Sequence, residues 1–250
     1  MIDLIDECGA DLSGYGYICQ EAGRYNVSFC ELFVDSKKRA KELGFDMGHY
    51  FILNAPNLSL LMPEHRSILT DWLKDKLSFL LREQRIRKRD KVLFVGIGNS
   101  AIIADSFGTE TVAKIPIEAF KRNNRFHKII PNTFSNTGIS AFDIIRLIVE
   151  FFDISCVVMF DSLATKSIDR LGCSLQINDA GLTPGSALNN FGKALNYYSL
   201  NVPCIAIGVP MMISSRALGK KKDIILTEKD VQEKVDYLSS LVAEVVKDIV

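Results

Sequence analysis

Lys91-Val92-Leu93-Phe94-Val95-Gly96-Ile97-Gly98-Asn99 carries an unbroken apolar run that ends on glycines. A run of that length bounded by turn formers reads as a strand buried on both faces. The pattern returns downstream. Ile154 to Phe160 is an apolar run of strand length, Cys173 to Ile177 is strand-like, and Val202 to Val209 is another buried strand. Ala104 to about Lys114, Ser140 to Phe152 and Leu163 to Leu171 have helical character, and Ile115-Pro116-Ile117 begins another extended piece. Apolar strands separated by helical segments predict an α/β fold: a mostly parallel sheet covered on both faces, with right-handed crossovers. In such sheets ligands gather outside the carboxyl ends of the strands, so the polar residues there are weighed first.

Outward from this centre, residues 1 to about 58 are short and turn-broken. Alternation in Tyr25–Phe29 and Glu31–Asp35 predicts antiparallel or edge strands, an N-terminal strand-rich extension on a single domain spanning residues 1–250. From Pro63 to about Arg85, Ile68, Leu69, Trp72, Leu73, Leu77, Leu80 and Leu81 recur at spacings of three and four, an amphipathic helix with Trp72 as a core anchor. Thr227 to Val250 is a second long amphipathic helix, opened by Thr227-x-x-Asp230 as a near-capping box, its apolar side open to core packing or subunit contact.

Composition narrows the function classes. Thirty basic and thirty acidic side chains cancel, so nothing in the bulk charge is arranged to neutralise nucleic acid or an anionic membrane. The N-terminal Met1–Glu7 has three acids and no basic region, and no apolar run approaches the roughly 18–20 residues of a membrane span, which predicts a cytoplasmic protein. Cysteines 8, 19, 30, 156, 173 and 204 show no Cys-x-x-Cys pair or partnered histidine, so buried free thiols are expected, with neither a disulfide framework nor a zinc site.

Three strand ends carry the chemistry. At the first, Gly96, Gly98 and Ala101 fit a Gly-x-Gly-x-x-Ala dinucleotide fingerprint with Glu118 as its ribose acid, yet Asp105 stands where a helix would open and would repel phosphate. Asp105 reads equally as an N-cap. At the second, Asp161 closes the run Val157–Phe160 and precedes a helical segment. Two acids at strand ends of one parallel sheet can converge, and carboxylates sharing a site hold a proton between them, which suits polarising a carbonyl and activating water. The third is the polar loop from Asn178 through Asp179, Pro184, Gly185 and Ser186 to Asn190, long enough to suggest function.

Taken in order, these places resemble the germination protease family, spore endopeptidases that degrade small acid-soluble DNA-protecting proteins. Val95-Gly96-Ile97-Gly98-Asn99 with Asp105-Ser106-Phe107-Gly108 is similar to its Val-Gly-Leu-Gly-Asn and Pro-Asp-Ala-Leu-Gly; Thr137-Gly138-Ile139 matches its Thr-Gly-Ile. Phe160-Asp161-Ser162-Leu163-Ala164-Thr165-Lys166-Ser167 resembles its Ile-Asp-Ala-Leu-Ala-Ala-Arg-Ser, and Gln176 to Ser186 its Gln-Ile-Ser-Asp-Thr-Gly-Ile-His-Pro-Gly-Ser. Val202 to Pro210 is similar to its Ile-Pro-Val-Ile-Ala-Ile-Gly-Val-Pro. Ala10-Asp11-Leu12 resembles its processing point, and Gly48-His49-Tyr50 its Gly-x-Tyr. Departures fall at Ile103-Ala104, Thr109, Thr183 and Ala187, and after Pro210.

The resemblance implies a three-layer, phosphorylase/hydrolase-like sandwich, catalysis by Asp105 and Asp161 without metal or cofactor, and a zymogen that trims itself between Asp11 and Leu12. Asn99, Asp179 and the Pro184-Gly185-Ser186 loop would orient these groups or the substrate. It further implies acid-soluble spore proteins as substrates, a homo-oligomer (a tetramer) and a place in the spore core. A non-catalytic spore-associated relative and a dinucleotide-binding oxidoreductase are the competing readings.

Overall fold

The computed structural model describes residues 3–23, 26–55, 63–117, 125–185, 192–215, 218–219 and 224–249. The strands are β1 (Ile18–Ala22), β2 (Val27–Val34), β3 (Gly48–Asn54), β4 (Val92–Gly96), β5 (Phe126–Ile129), β6 (Cys156–Thr165), β7 (Ser174–Asn178), β8 (Cys204–Ser214) and β9 (Ile225–Leu226). The helices are α1 (Lys37–Leu43), α2 (Pro63–Glu83), α3 (Phe107–Lys114), α4 (Phe134–Thr137), α5 (Ala141–Phe152), α6 (Tyr197–Leu200) and α7 (Val231–Ile249).

Among the described residues all the strands join one sheet in the order β1-β2-β3-β7-β8-β6-β4-β5, with β9 on β8. Only β8–β6, β6–β4 and β4–β5 are parallel; β1–β2, β2–β3, β3–β7, β7–β8 and β8–β9 are antiparallel. The expected mostly parallel sheet is therefore corrected to a mixed sheet that is mostly antiparallel, with a parallel half of four strands. The cause lies after Asp161. The helix expected over Leu163–Leu171 does not form, because β6 pairs with β8 as far as Thr165. The link to β7 is then one turn of 3-10 helix, Ile168–Arg170, far short of a crossover that could bring β7 back parallel. The N-terminal strands are antiparallel as expected, and β3–β7 pairing makes them part of the same sheet.

Alternation along the parallel strands divides the core. Val92, Phe94, Val158, Phe160, Ile205 and Ile207 pack with α2, α3 and α7, including Trp72, Leu73, Val112 and Leu238. Leu93, Val95, Val157, Met159 and Ala206 pack with Phe142, Ile145 and Val149 of α5. Leu32, Val34, Tyr50 and Ile52 of β2 and β3 pack with Ile5, Leu12 and Leu43. Trp72 is the core anchor its stripe predicts, and the apolar side of α7 is spent on the core.

Local signals gave way in several places. α7 starts at Val231, and Thr227 hydrogen-bonds the Met211 carbonyl instead of capping. The 115–117 stretch is not a strand, and the short β5 had no apolar run to announce it. Cys19 and Cys30 stand opposite one another across β1–β2 and are joined as a disulfide, correcting the expectation of six free thiols. A hairpin register, invisible to a search for close cysteine spacing, brings them together. Cys156 and Cys204 are buried thiols; Cys8 and Cys173 are half-buried.

Gly108 fixes the seat of α3. A Cβ there would lie 2.1 Å from the Phe160 carbonyl oxygen and 2.4 Å from that of Ile97, so backbone would have to move. Gly108→Ala is expected to destabilise the protein by at least about 2 kcal/mol in urea unfolding, since overpacking against backbone cannot relax by a rotamer change. A loss under about 0.5 kcal/mol would show that α3 does not approach β4 and β6 this closely.

Candidate active site

Asp105 and Asp161 come from opposite sides of one backbone junction. β4 runs beside β6, pairing Gly96 with Phe160, and the Ile97 N–H continues the ladder to the Phe160 carbonyl. Asp161 is the next residue of β6, opposite Gly208 of β8. It is not a strand end: β6 continues through it, paired on β8, so the expected strand-end position is corrected to mid-strand. The chain leaving β4 turns through Gly98 (φ +116°) and Asn99 and closes as a short 3-10 turn, Ile103–Asp105. The Asn99 N–H donates to the Asp105 carboxylate (2.9 Å) and to its carbonyl (3.1 Å), while the Asn99 side chain accepts from Ala101 N–H in a local turn. A Cβ on Gly98 would meet the Asp105 carbonyl at 2.0 Å.

This arrangement overturns two readings of the glycine turn. Asp105 does not cap α3: the cap position is Ser106, with no side-chain cap bond, and the Phe107 N–H instead meets Ser162 Oγ at 3.2 Å. The Asn99 amide just after the turn, which a dinucleotide fold would leave to a pyrophosphate, is taken by an aspartate, and α3 starts nine residues after Gly98 rather than within the turn. The oxidoreductase reading, resting on Gly96, Gly98 and Ala101, loses its anion site; Glu118 lies outside the described residues.

Both acids are withdrawn from water, Asp105 at 8% and Asp161 at 6% exposure. Burial pushes Asp105 up to about 6, against the lowering effect of the Asn99 amide. Burial, then the charges of Asp105 and Asp3, push Asp161 well above the ordinary carboxylate range. The two groups thus lie within electrostatic reach, and a third acid, Asp3, joins them. Asp3 was not foreseen. Its carboxylate accepts from the Ala164 N–H at 2.8 Å, and its carbonyl accepts from Gln176 Nε2 at 3.1 Å.

Asp161 and Asp3 line a cavity of about 590 Å³ together with Tyr50, Leu163, Gln176 and Asn178. Thr183 also faces it, but neither Asp105 nor Asp179 is among its lining residues. Asp179 is placed elsewhere: its carboxylate accepts from the His49 N–H (2.6 Å) and Gln84 Nε2 (2.9 Å) and faces His49 Nδ1 (3.1 Å). Burial would raise it, but these hydrogen bonds outweigh that and hold it below the usual range. Pro184 and Gly185 form a turn, the Pro184 carbonyl accepting from the Gly192 N–H at 3.2 Å; Ser186 lies outside the described residues. Asp11 is exposed and accepts from Ser13 N–H, whereas Leu12 is buried at the start of a 3-10 turn.

Of the residues that sequence reasoning missed, Gln176 carried a signal of its own. It lies at the centre of β7, every residue of which is buried, and a polar side chain inside a buried strand needs a partner. Here its partners are the backbone of Asp3 and Ile5.

The germination protease profile matches residues 10–227. The chain belongs to the germination protease family. It is 32% identical to the germination protease of Geobacillus sp. (strain WCH70) over 190 residues, 72% of this chain and 51% of that protein. To the germination protease of Priestia megaterium it is 27% identical over 210 residues, 80% of this chain and 56% of the other. The chain therefore spans about half the length of the curated relatives it matches. Among solved structures it is similar to a NiFe hydrogenase maturation protease from Thermococcus kodakarensis at TM-score 0.40 and 17% identity, covering 68% of this chain and 98% of that one, a likeness too slight to place any residue.

The raised acids couple stability to pH. A carboxyl that binds its proton more tightly folded than unfolded stabilises the fold at low pH, and this is lost as pH rises through the folded value. For Asp105 the window runs from about 4 to about 6, and for Asp161 it extends higher. Asp179, lowered, acts oppositely and below pH 4. Asp105→Asn keeps an oxygen for the Asn99 amide, so its stability relative to wild type should rise by roughly 2–3 kcal/mol between pH 4 and pH 8 in urea unfolding. An unchanged difference across that range would contradict the burial of an ionisable group there.

Proposed function

We propose that this chain is an endopeptidase of spore germination in which Asp105 and Asp161 divide the roles of base and acid. The observation that carries the reading is the pair itself: two buried carboxyls at the β4–β6 junction, both shifted upward by burial, with the Asp105 charge adding to the rise at Asp161 and Asp161 facing a cavity. Asp161, raised further, keeps its proton and donates it to the carbonyl oxygen of the scissile peptide. Asp105, ionised near neutral pH, takes a proton from water as the water oxygen bonds to the carbonyl carbon. The proton on Asp105 then passes to the departing amine as the carbon–nitrogen bond breaks, and Asp161 recovers its own from the collapsing tetrahedral intermediate.

The proposed setting follows the family: one α/β peptidase domain of the three-layer, phosphorylase/hydrolase-like type, small acid-soluble spore proteins as substrates, the spore core as location and a tetramer as assembly. Asn99 supports the reading as the residue whose amide steadies Asp105. Asp179 and the Pro184-Gly185-Ser186 loop act at one remove, through the β3–β7 junction and the loop that carries Thr183 to the cavity. Zymogen behaviour is supported by residues 3–7, which lie against β6 and β7 with Asp3 beside Asp161. Self-cleavage between Asp11 and Leu12 would sever their covalent link to the body of the chain.

The same strap favours a second reading. A non-catalytic relative could keep Asp161 covered permanently, and one assay separates the two. Incubation with an acid-soluble spore protein at mildly acidic and neutral pH should give cleavage by wild type and a new N-terminus at Leu12 by mass spectrometry. Asp161→Asn and Asp105→Asn should each lose at least about 100-fold in turnover. Full turnover by either variant would end the acid-pair mechanism; a folded wild type that never cuts substrate or itself would favour the non-catalytic relative.

A further inference from the structure

Residues 3–7 are bound the way a protein binds a peptide. Gln176 donates from Nε2 to the Asp3 carbonyl and accepts at Oε1 from the Ile5 N–H, each at 3.1 Å. One side-chain amide thereby pairs with the carbonyl and N–H on either side of Leu4, which is extended, the spacing at which a neighbouring strand reads a backbone, before Ile5–Glu7 close into a 3-10 turn. Leu4 and Ile5 are fully buried. Carboxylates flank them, and each meets donors from the body of the fold. Asp3 takes the Ala164 N–H; Glu7 takes the Lys166 N–H (2.7 Å) and Thr165 Oγ1 (2.6 Å). Arg170 Nη1 meets Asp6 at 2.6 Å and Glu7 at 3.4 Å. The guanidinium is set in advance by other groups, donating from Nη2 to Asn54 Oδ1 (2.7 Å) and from Nε to Ser174 Oγ (3.1 Å). By contrast Gly9, Ala10 and Asp11, which join this segment to the rest, are exposed.

We propose that β6, β7 and Arg170 form a peptide-binding groove that holds residues 3–7 without help from the covalent link, so that scission in the exposed 9–11 stretch leaves the segment seated beside Asp161. The ligand class is a short peptide with two adjacent aliphatic residues flanked by carboxylates, and its resident example is Asp3-Leu4-Ile5-Asp6-Glu7. Gln176 is the backbone clamp and Arg170 the charged end of the groove. Cutting the chain removes only the advantage of tethering; the buried pair, the amide clamp and the charge-assisted bonds remain. That a seated segment would inhibit the enzyme rests on the peptidase reading; that it stays bound does not.

The test uses the full chain with a site-specific protease sequence inserted between Gly9 and Ala10. After nicking, the N-terminal fragment should co-elute with the body in gel filtration and appear in its denatured mass spectrum. A labelled synthetic peptide of residues 1–9 should bind nicked protein freed of its fragment, and the Arg170→Met protein, checked for folding by circular dichroism, should bind it at least tenfold more weakly, since truncating the guanidinium leaves two carboxylates short of a donor. Should Arg170→Met fail to fold, an Ile5→Asp peptide against the wild-type body reads the same groove and should also bind at least tenfold more weakly. Separation of the fragment on the first passage, or Ile5→Asp binding as tight as wild type, would overturn the proposal. None of these readouts requires turnover, so they fail or succeed independently of the peptidase assignment.

Discussion

The carboxyl group of Asp161 has to be accommodated in the middle of a strand buried along its whole length, between Phe160 and Ser162 and beside a paired β8. Desolvation there favours the protonated form, and the surrounding chain is arranged around that constraint. The β4 exit loop brings a second acid near it without adding a compensating cation. The N-terminal segment brings a third, whose carboxylate is satisfied by a β6 amide. A site with this charge balance is poised to hold protons and give them up, which is the property peptide hydrolysis by carboxyl groups requires.

The fold produces that site through close backbone approach more than through side-chain chemistry. Gly108 lets α3 touch the β4–β6 ladder, and Gly98 turns the chain back so that Asp105 reaches the Asn99 amide. A glycine-rich turn after a strand looks alike whether it cradles a phosphate or a carboxylate from its own chain. Only the position of the following helix tells them apart, and here α3 begins too late for a phosphate site.

Much of this was legible beforehand. The buried strands β4, β6 and β8 and the helices α2, α5 and α7 announce themselves by uninterrupted apolar runs or a 3.6-residue stripe, and Asp105 and Asp161 stand out as acids next to such runs. Sheet direction was not legible, because an apolar run says that a strand is buried and nothing about which way its neighbour points. The extension of β6 past Asp161 was hidden for a related reason: Leu163–Leu171 has acceptable helical character, and pairing with β8 overrides it. Asp3, Gln176 and Arg170 are separated by more than 160 residues at the extremes, and no local pattern links an acidic N-terminal segment to a glutamine in β7. The Cys19–Cys30 pairing likewise depends on hairpin register.

The central claim is that residues 105 and 161 form one coupled pair of raised acids. Carbon-13 NMR of labelled aspartate carboxyls, followed through pH in wild type and Asp105→Asn, tests it most directly. The Asp161 signal should titrate well above the ordinary aspartate range in wild type and move downward when the Asp105 charge is removed. An Asp161 carboxyl that titrates near pH 4 and ignores the substitution at 105 would contradict it.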